Sequence, residues 1–204
     1  MQALAAVRPA AARSAPLRLE PVHARHPLRA SFEQFIAARY AQAYGARLTH
    51  FLPQLLGVPG AAGGWRAAAG YGPAQAEALF LEQYLDQRVE QVLAAALGRP
   101  VARSEIVEVG NLAAVSSGMA RVLVPQLARH LHRLGYGWVV FTATRALRNA
   151  FARLGLRPLP LAPADPARLP DGGASWGSYY AQDPMVMAGK IALGLCADAC
   201  ARAW

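Results

Sequence analysis

The chain is 204 residues long, 54% apolar and only 16% charged, a balance that supplies one ample core and excludes a disordered chain. Its formal net charge of +9 points to a polyanionic partner: an acidic carrier protein, an anionic membrane or nucleic acid. The cations are nearly all arginine, with Lys190 the only lysine. A GC-rich coding sequence explains that bias, and no basic–aromatic repeat or zinc pattern accompanies it, so nucleic acid is not expected. Cys196 and Cys200 stand four apart, a poor setting for a disulfide and too few ligands for structural zinc, so reduced thiols and no metal are expected. No run approaches the ~20 apolar residues that span a bilayer. The N-terminus, with Arg8 and Arg13, lacks the apolar block of a signal peptide, and a cytoplasmic location is expected.

Residues 1–30 carry Pro9, Pro16, Pro21 and Pro27 and read as a flexible lead-in with one short strand over 17–22. A single domain over 31–204 follows. Ser31 has the chemistry of a helix N-cap; Phe32, Phe35, Ile36, Tyr40 and Tyr44 follow at helical spacing, and Gly45 is the stop. Arg39 flanks that apolar stripe, either as a solvated edge or as a ligand. Residues 47–56 and 65–71 read as a hairpin around the Gly/Pro-rich turn 57–64. Thr49 and His50 interrupt its first strand, His50 as a structural histidine or a base. Residues 74–97 read as helical, in two pieces broken near Asp86. Glu82 and Glu90, eight apart, share a face there, which usually looks to water.

Residues 104–114 begin with β-branched side chains, as a strand does. They lead through the Ser/Gly turn 115–121 into a periodic run of Val122, Leu123, Leu127, Leu131 and Leu134. A strand, a small-residue loop and a helix start aim backbone N–H groups at one point, which suits a phosphate; the alternative is an ordinary strand-to-helix turn. Glu105 and Glu108, three apart on one strand, face opposite ways, so at most one can enter a given cleft. Residues 137–144 read as a second strand and 145–154 as a helix closed by Gly155. Strand, helix, strand, helix favours parallel strands with the ligand site at their carboxyl ends. Further strands are expected over 156–161 and 176–181. A closing helix is expected over 186–201, packed on the core rather than lying on a membrane.

A helix, a hairpin and then this strand–loop–helix–strand–helix series is the order of the GNAT acyltransferase fold, an α/β fold whose mixed central sheet is flanked by helices. The chain resembles acyl-homoserine-lactone synthases in particular. Glu108 matches their strand glutamate and Leu112-Ala113 their following pair, while Asn111 stands where they have arginine and removes a cation that shapes their site. It is similar over 31–191 to the thermostable hemolysin family. That likeness rests on Arg39-Tyr40, Tyr44-Gly45-Ala46, Phe80-Leu81-Glu82-Gln83-Tyr84-Leu85, the run from Ile106 to Ala113, Phe141-Thr142-Ala143-Thr144, Arg148-Asn149 and Trp176-Gly177-Ser178-Tyr179-Tyr180.

The resemblance implies an N-acyltransferase. Its donor would be acyl-CoA or the phosphopantetheine of an acidic acyl carrier protein, and its acceptor a small amine, with amino-acid-derived amines among the candidates. Glu108 is the expected base or water-positioning group, with Glu105 second and Asn111 as a polar partner. Leu112, Ala113 and Ala114 would hold the pantetheine arm. Val115, Ser116, Ser117, Gly118, Met119 and Ala120 would cradle phosphate, with Asn149 beside them. Arg39, Tyr44, His50, Glu82, Thr142 and Trp176 are the expected substrate contacts. Two other readings stay open: a directly membrane-active protein and a non-catalytic GNAT-like binding module.

Overall fold

A computed structural model describes residues 19–60 and 63–195. The chain enters through a short strand, β1 (Glu20–Val22), which buries Val22 and pairs antiparallel with β2 (Gln54–Pro59). Between them runs α1 (Arg29–Tyr44). Phe32 and Ile36, one helical turn apart, are both fully buried against the sheet, each contributing about 2 kcal/mol of apolar burial. The helix starts at Arg29 rather than behind Ser31, because Arg29 anchors it. The Arg29 guanidinium donates to the carbonyls of Leu52 and Pro53 at 2.9 and 3.0 Å and pairs with Glu33 at 2.6 Å. The Ser31 hydroxyl instead accepts from the indole of Trp65 at 3.1 Å.

β3 (Trp65–Pro73) returns antiparallel to β2, and β4 (Ile106–Ala114) lies antiparallel on β3. The connection holds a 3-10 turn at Phe80–Tyr84 and then α2 (Val89–Leu97). α3 (Ala120–Arg133) leads to β5 (Trp138–Ala143), which pairs parallel to β4. α4 (Arg145–Arg153), β6 (Leu159–Pro163) and β7 (Met185–Lys190) complete the sheet in the order β1-β2-β3-β4-β5-β7-β6. The alternation of β4 decides what packs where. Ile106 joins the core under α2, whereas Val107 joins the core under α3. α1 and α2 thus cover one face, and α3 and α4 the other.

Two irregularities of β4 prepare the site. It pairs with β5 only from Ile106–Trp138 to Val109–Phe141, yet stays on β3 as far as Ala114 while β5 stays on β7 as far as Ala143. The two parallel strands therefore part at their carboxyl ends. Opposite Ala69 the register of β4 slips, and Asn111 takes a left-handed backbone (φ 51°), a conformation that asparagine tolerates better than most residues.

The structure departs from sequence expectation at five places. α1 begins at Arg29, inside the segment assigned to the lead-in, whereas β1 falls within the strand expected over 17–22; residues 1–18 lie outside the described residues. The hairpin strand begins at Gln54, and residues 57–59 of the expected turn belong to it. Residues 74–79 are not helical, and only the 3-10 turn and α2 remain of the long helix. Residues 176–181, expected as a strand, form two 3-10 turns, Ala174–Trp176 and Tyr180–Gln182, because Gly177 and Asp183 take positive φ between and after them. Residues 186–190, expected as the start of a helix, form β7, which finds an antiparallel partner on each side. Cys196 and Cys200 lie outside the described residues.

Candidate active site

Glu108 sits on β4 just before the strands part. It is 5% exposed and lines a cavity of about 60 Å³ on the α1/α2 face of the sheet. Its carboxylate accepts from the backbone N–H groups of Phe80 at 2.8 Å and Leu81 at 3.2 Å. Burial pushes its pKa up to about 7, and the nearby Glu82 charge adds to this, against the pull of the two N–H donors. A carboxyl poised near neutrality can hold or release a proton at working pH, as a general base must.

Three segments enclose it. Residues 50–53 are sewn to the core from two sides. Arg29 holds the carbonyls of Leu52 and Pro53. From the other side the Asn111 amide accepts from Leu52 N–H at 2.8 Å and donates to the His50 carbonyl at 3.2 Å. Only glycine at 70 leaves room for that amide, since a Cβ there would lie 2.8 Å from its oxygen. The 3-10 turn contributes Phe80 and Tyr84, and the loop after β6 contributes Trp176 and Tyr179. His50 stacks on Phe80 (centroids 5.1 Å, 23°), and Phe80 meets Trp176 at 5.8 Å. Tyr84 and Tyr180 share a hydroxyl hydrogen bond of 2.6 Å. Burial holds the phenols of Tyr40, Tyr84 and Tyr179 above the usual tyrosine range, so they act as neutral groups.

A second cavity, of about 230 Å³, adjoins the first, and His50, Phe80 and Trp176 line both. Arg47, Thr49, Gln83 and Asp171 belong to this outer chamber.

Of the residues expected at the site, Glu108, Asn111, His50, Thr142 and Trp176 come together around the inner cavity. Asn111 is there as a tether, its amide already committed to residues 50 and 52. Glu105 is not on the strand. It ends a 3-10 turn, Arg103–Glu105, with an exposed side chain that lines neither cavity. Glu82 is turned away into a structural hub: it takes N–H bonds from Leu79 and Val89 and pairs with Arg103 at 2.6 Å, which also pairs with Glu90 at 2.6 Å. Arg39 bonds Gln42 at 2.5 Å and lines neither cavity. Tyr44 stands behind Tyr179, ring centroids 5.2 Å apart. Asn149 is exposed on α4 and lines neither cavity.

In the expected cofactor loop, Ala113 packs under α1, and Leu112 and Ala114 pack on the α3 side. Val115 N–H donates to Arg66, and the Val115 side chain is 49% exposed. Ser116 accepts from Met119 N–H, Met119 is buried under α3, and Gly118 faces open space. Ser117 opens the 3-10 turn, and Ala120 begins α3. Sequence reasoning missed Tyr40, Phe80, Tyr84 and Tyr179 as lining residues. The signal for the first three is a pair of aromatics four apart, Tyr40/Tyr44 and Phe80/Tyr84, and for Tyr179 the aromatic cluster Trp176, Tyr179 and Tyr180.

The family model for thermostable hemolysin matches residues 22–195. The chain belongs to the thermostable hemolysin family. No curated protein matches it. Among solved structures, the chain is similar to TofI in its apo form (TM-score 0.58, 18% identity, covering 88% of this chain and 95% of that one). It is also similar to the AHL synthase LasI (TM-score 0.56, 13% identity, 85% and 88%). A third likeness is to FeeM, an N-acyl amino acid synthase from uncultured soil microbes (TM-score 0.53, 13% identity, 87% and 92%). The fold is GNAT-like, a mixed seven-stranded sheet between helices, as the resemblance implied. Among the described residues of this hemolysin-family chain, no helix is long and apolar enough to cross a membrane.

Proposed function

We propose that the chain is an N-acyltransferase that moves an acyl group from an acyl-CoA or acyl-carrier-protein thioester to a small amine. The observation that carries this is Glu108, a buried carboxyl near neutral pKa where β4 and β5 part. In this reading the pantetheine arm lies against the unpaired side of residues 110–114, and the start of α3 receives its phosphate. Glu108 takes a proton from the ammonium form of the acceptor. The freed nitrogen attacks the thioester carbonyl, the C–N bond forms, and collapse of the tetrahedral intermediate breaks the C–S bond. Glu108 gives that first proton to solvent, takes the surplus proton of the attacking nitrogen and passes it to the departing thiolate, leaving amide and thiol. An arginine-rich surface suits an acidic carrier.

Thermal unfolding of the full chain with coenzyme A, long-chain acyl-CoA and holo-acyl carrier protein tests this, with liposomes as control. Saturable stabilisation by a thioester donor, about 3 kcal/mol at a hundredfold excess over Kd, is expected and names the donor class. No shift with any donor, together with tight liposome binding, would move the assignment to a membrane-active protein.

A further inference from the structure

The two chambers differ in charge. The inner one holds the Glu108 carboxyl and is otherwise aromatic, apolar or neutral, apart from His50. The outer one carries Arg47 and Asp171. Asp171 is already occupied, its carboxylate accepting from the N–H groups of Gly173 and Ser175 at 2.9 and 3.0 Å. Arg47 makes no ion pair among the described residues, and its side chain is exposed. Its backbone is nonetheless fixed. Arg47 N–H donates to the Ser175 carbonyl at 2.7 Å, and Ser178 N–H donates to that of Tyr44 at 2.8 Å, joining the two segments that wall the outer chamber. An exposed guanidinium with no ion pair among the described residues, on a backbone fixed at the cavity wall, is placed to receive an anion.

From inside out, the joined cavity presents a proton acceptor, an aromatic passage of His50, Phe80 and Trp176, and then the exposed guanidinium of Arg47. We propose that the acceptor is an amine whose anionic group is set apart from its nitrogen by an apolar spacer, and that Arg47 binds that group while the nitrogen reaches Glu108. This rests on the transferase reading above. An α-amino acid, with one carbon between its nitrogen and its carboxylate, cannot reach both ends across an aromatic side chain. A longer ω-amino acid, or an amine with a remote carboxylate or phosphate, can. The spacer would lie along the His50–Phe80 stack, where apolar burial rewards it.

The test measures thiol release and amide product with the full chain and the acyl donor that stabilises it. The acceptors are glycine, β-alanine, γ-aminobutyrate, ε-aminocaproate, n-hexylamine and cadaverine. Specificity should rise along the amino acids, with ε-aminocaproate about tenfold better than n-hexylamine, the effect of one charge-assisted contact of ~1.4 kcal/mol. Arg47→Ala should erase that preference through KM. Arg47→Glu should turn it toward cadaverine, whose second group is a cation, and because Arg47 is exposed neither variant threatens folding. Glycine as the best acceptor would overturn the spacer. Equal use of ε-aminocaproate and n-hexylamine, unaltered by Arg47→Glu, would overturn the role of Arg47. Saturable donor binding without acylation of any amine would overturn the transferase reading itself.

Discussion

Glu108 has two consequences that measurement can separate. Folding raises its carboxyl from 4.5 to about 7. The folded chain therefore keeps a proton that the unfolded chain releases between those pH values. The stability this contributes is complete below 4.5 and is lost as pH climbs to 7, a change of order 3 kcal/mol. Glu108→Gln should flatten that slope in denaturant titrations. The same ionisation should govern catalysis: kcat/KM should rise through pH 7 and level off above it, and Glu108→Gln should lower kcat by about a hundredfold or more while the fold survives. Retention of wild-type turnover in that variant would remove Glu108 as the base. Its choice over Glu105 rests on the match to the synthases' strand glutamate, since strand alternation says only that at most one of the two can face a given cleft. Glu105 was misread because a local bond, Glu105 N–H to the Ala102 carbonyl at 2.9 Å, ends a turn one residue before the strand begins. The tethering role of Asn111 was hidden too, since it depends on residues 50 and 52, about sixty positions away.

At the scale of elements, periodicity served where contacts are local and failed where they are not. The stripe of Phe32, Ile36 and Tyr40 identified α1, and the β-branched start of residues 106–109 identified β4. The stretch from Trp176 to Ala181 has the aromatic content of a strand, but Gly177 cannot lie in one. Its φ is 54°, and a Cβ there would fall 2.1 Å from the Tyr44 carbonyl and 2.9 Å from the Gly45 carbonyl carbon. The loop is pressed against the end of α1, and this close approach sets Trp176 and Tyr179 into the cavity. Gly177→Ala should therefore cost about 2–4 kcal/mol, read as a Tm lowered by roughly 5–10 °C. Activity should fall further than the unfolded fraction explains, because Trp176 moves. A Tm within a degree of wild type would show that the two segments yield to each other.

For the whole molecule, the charge of +9 acts at long range. If an acidic carrier delivers the acyl group, its KM should rise about tenfold from low to high salt, as screening shortens the reach of the arginines. A carrier KM indifferent to salt would point to coenzyme A as the physiological donor. The order of layers was readable from the alternation of elements. The placing of β7 between β5 and β6 was not, because residues 186–190 have no strong local preference and are decided by two partners at once.

That placement bears on synthesis. Among the described residues β7 is the last strand of the sheet to be synthesised, yet it occupies an interior position. Until residues 185–190 emerge, β5 offers a bare edge and the aromatic loop before β7 has nothing to hold its far end. A nascent or truncated chain that stops short of Met185 would be an aggregation-prone species rather than a partly active one. A protease that clips between the aromatic loop and β7 would likewise switch the protein off in one cut.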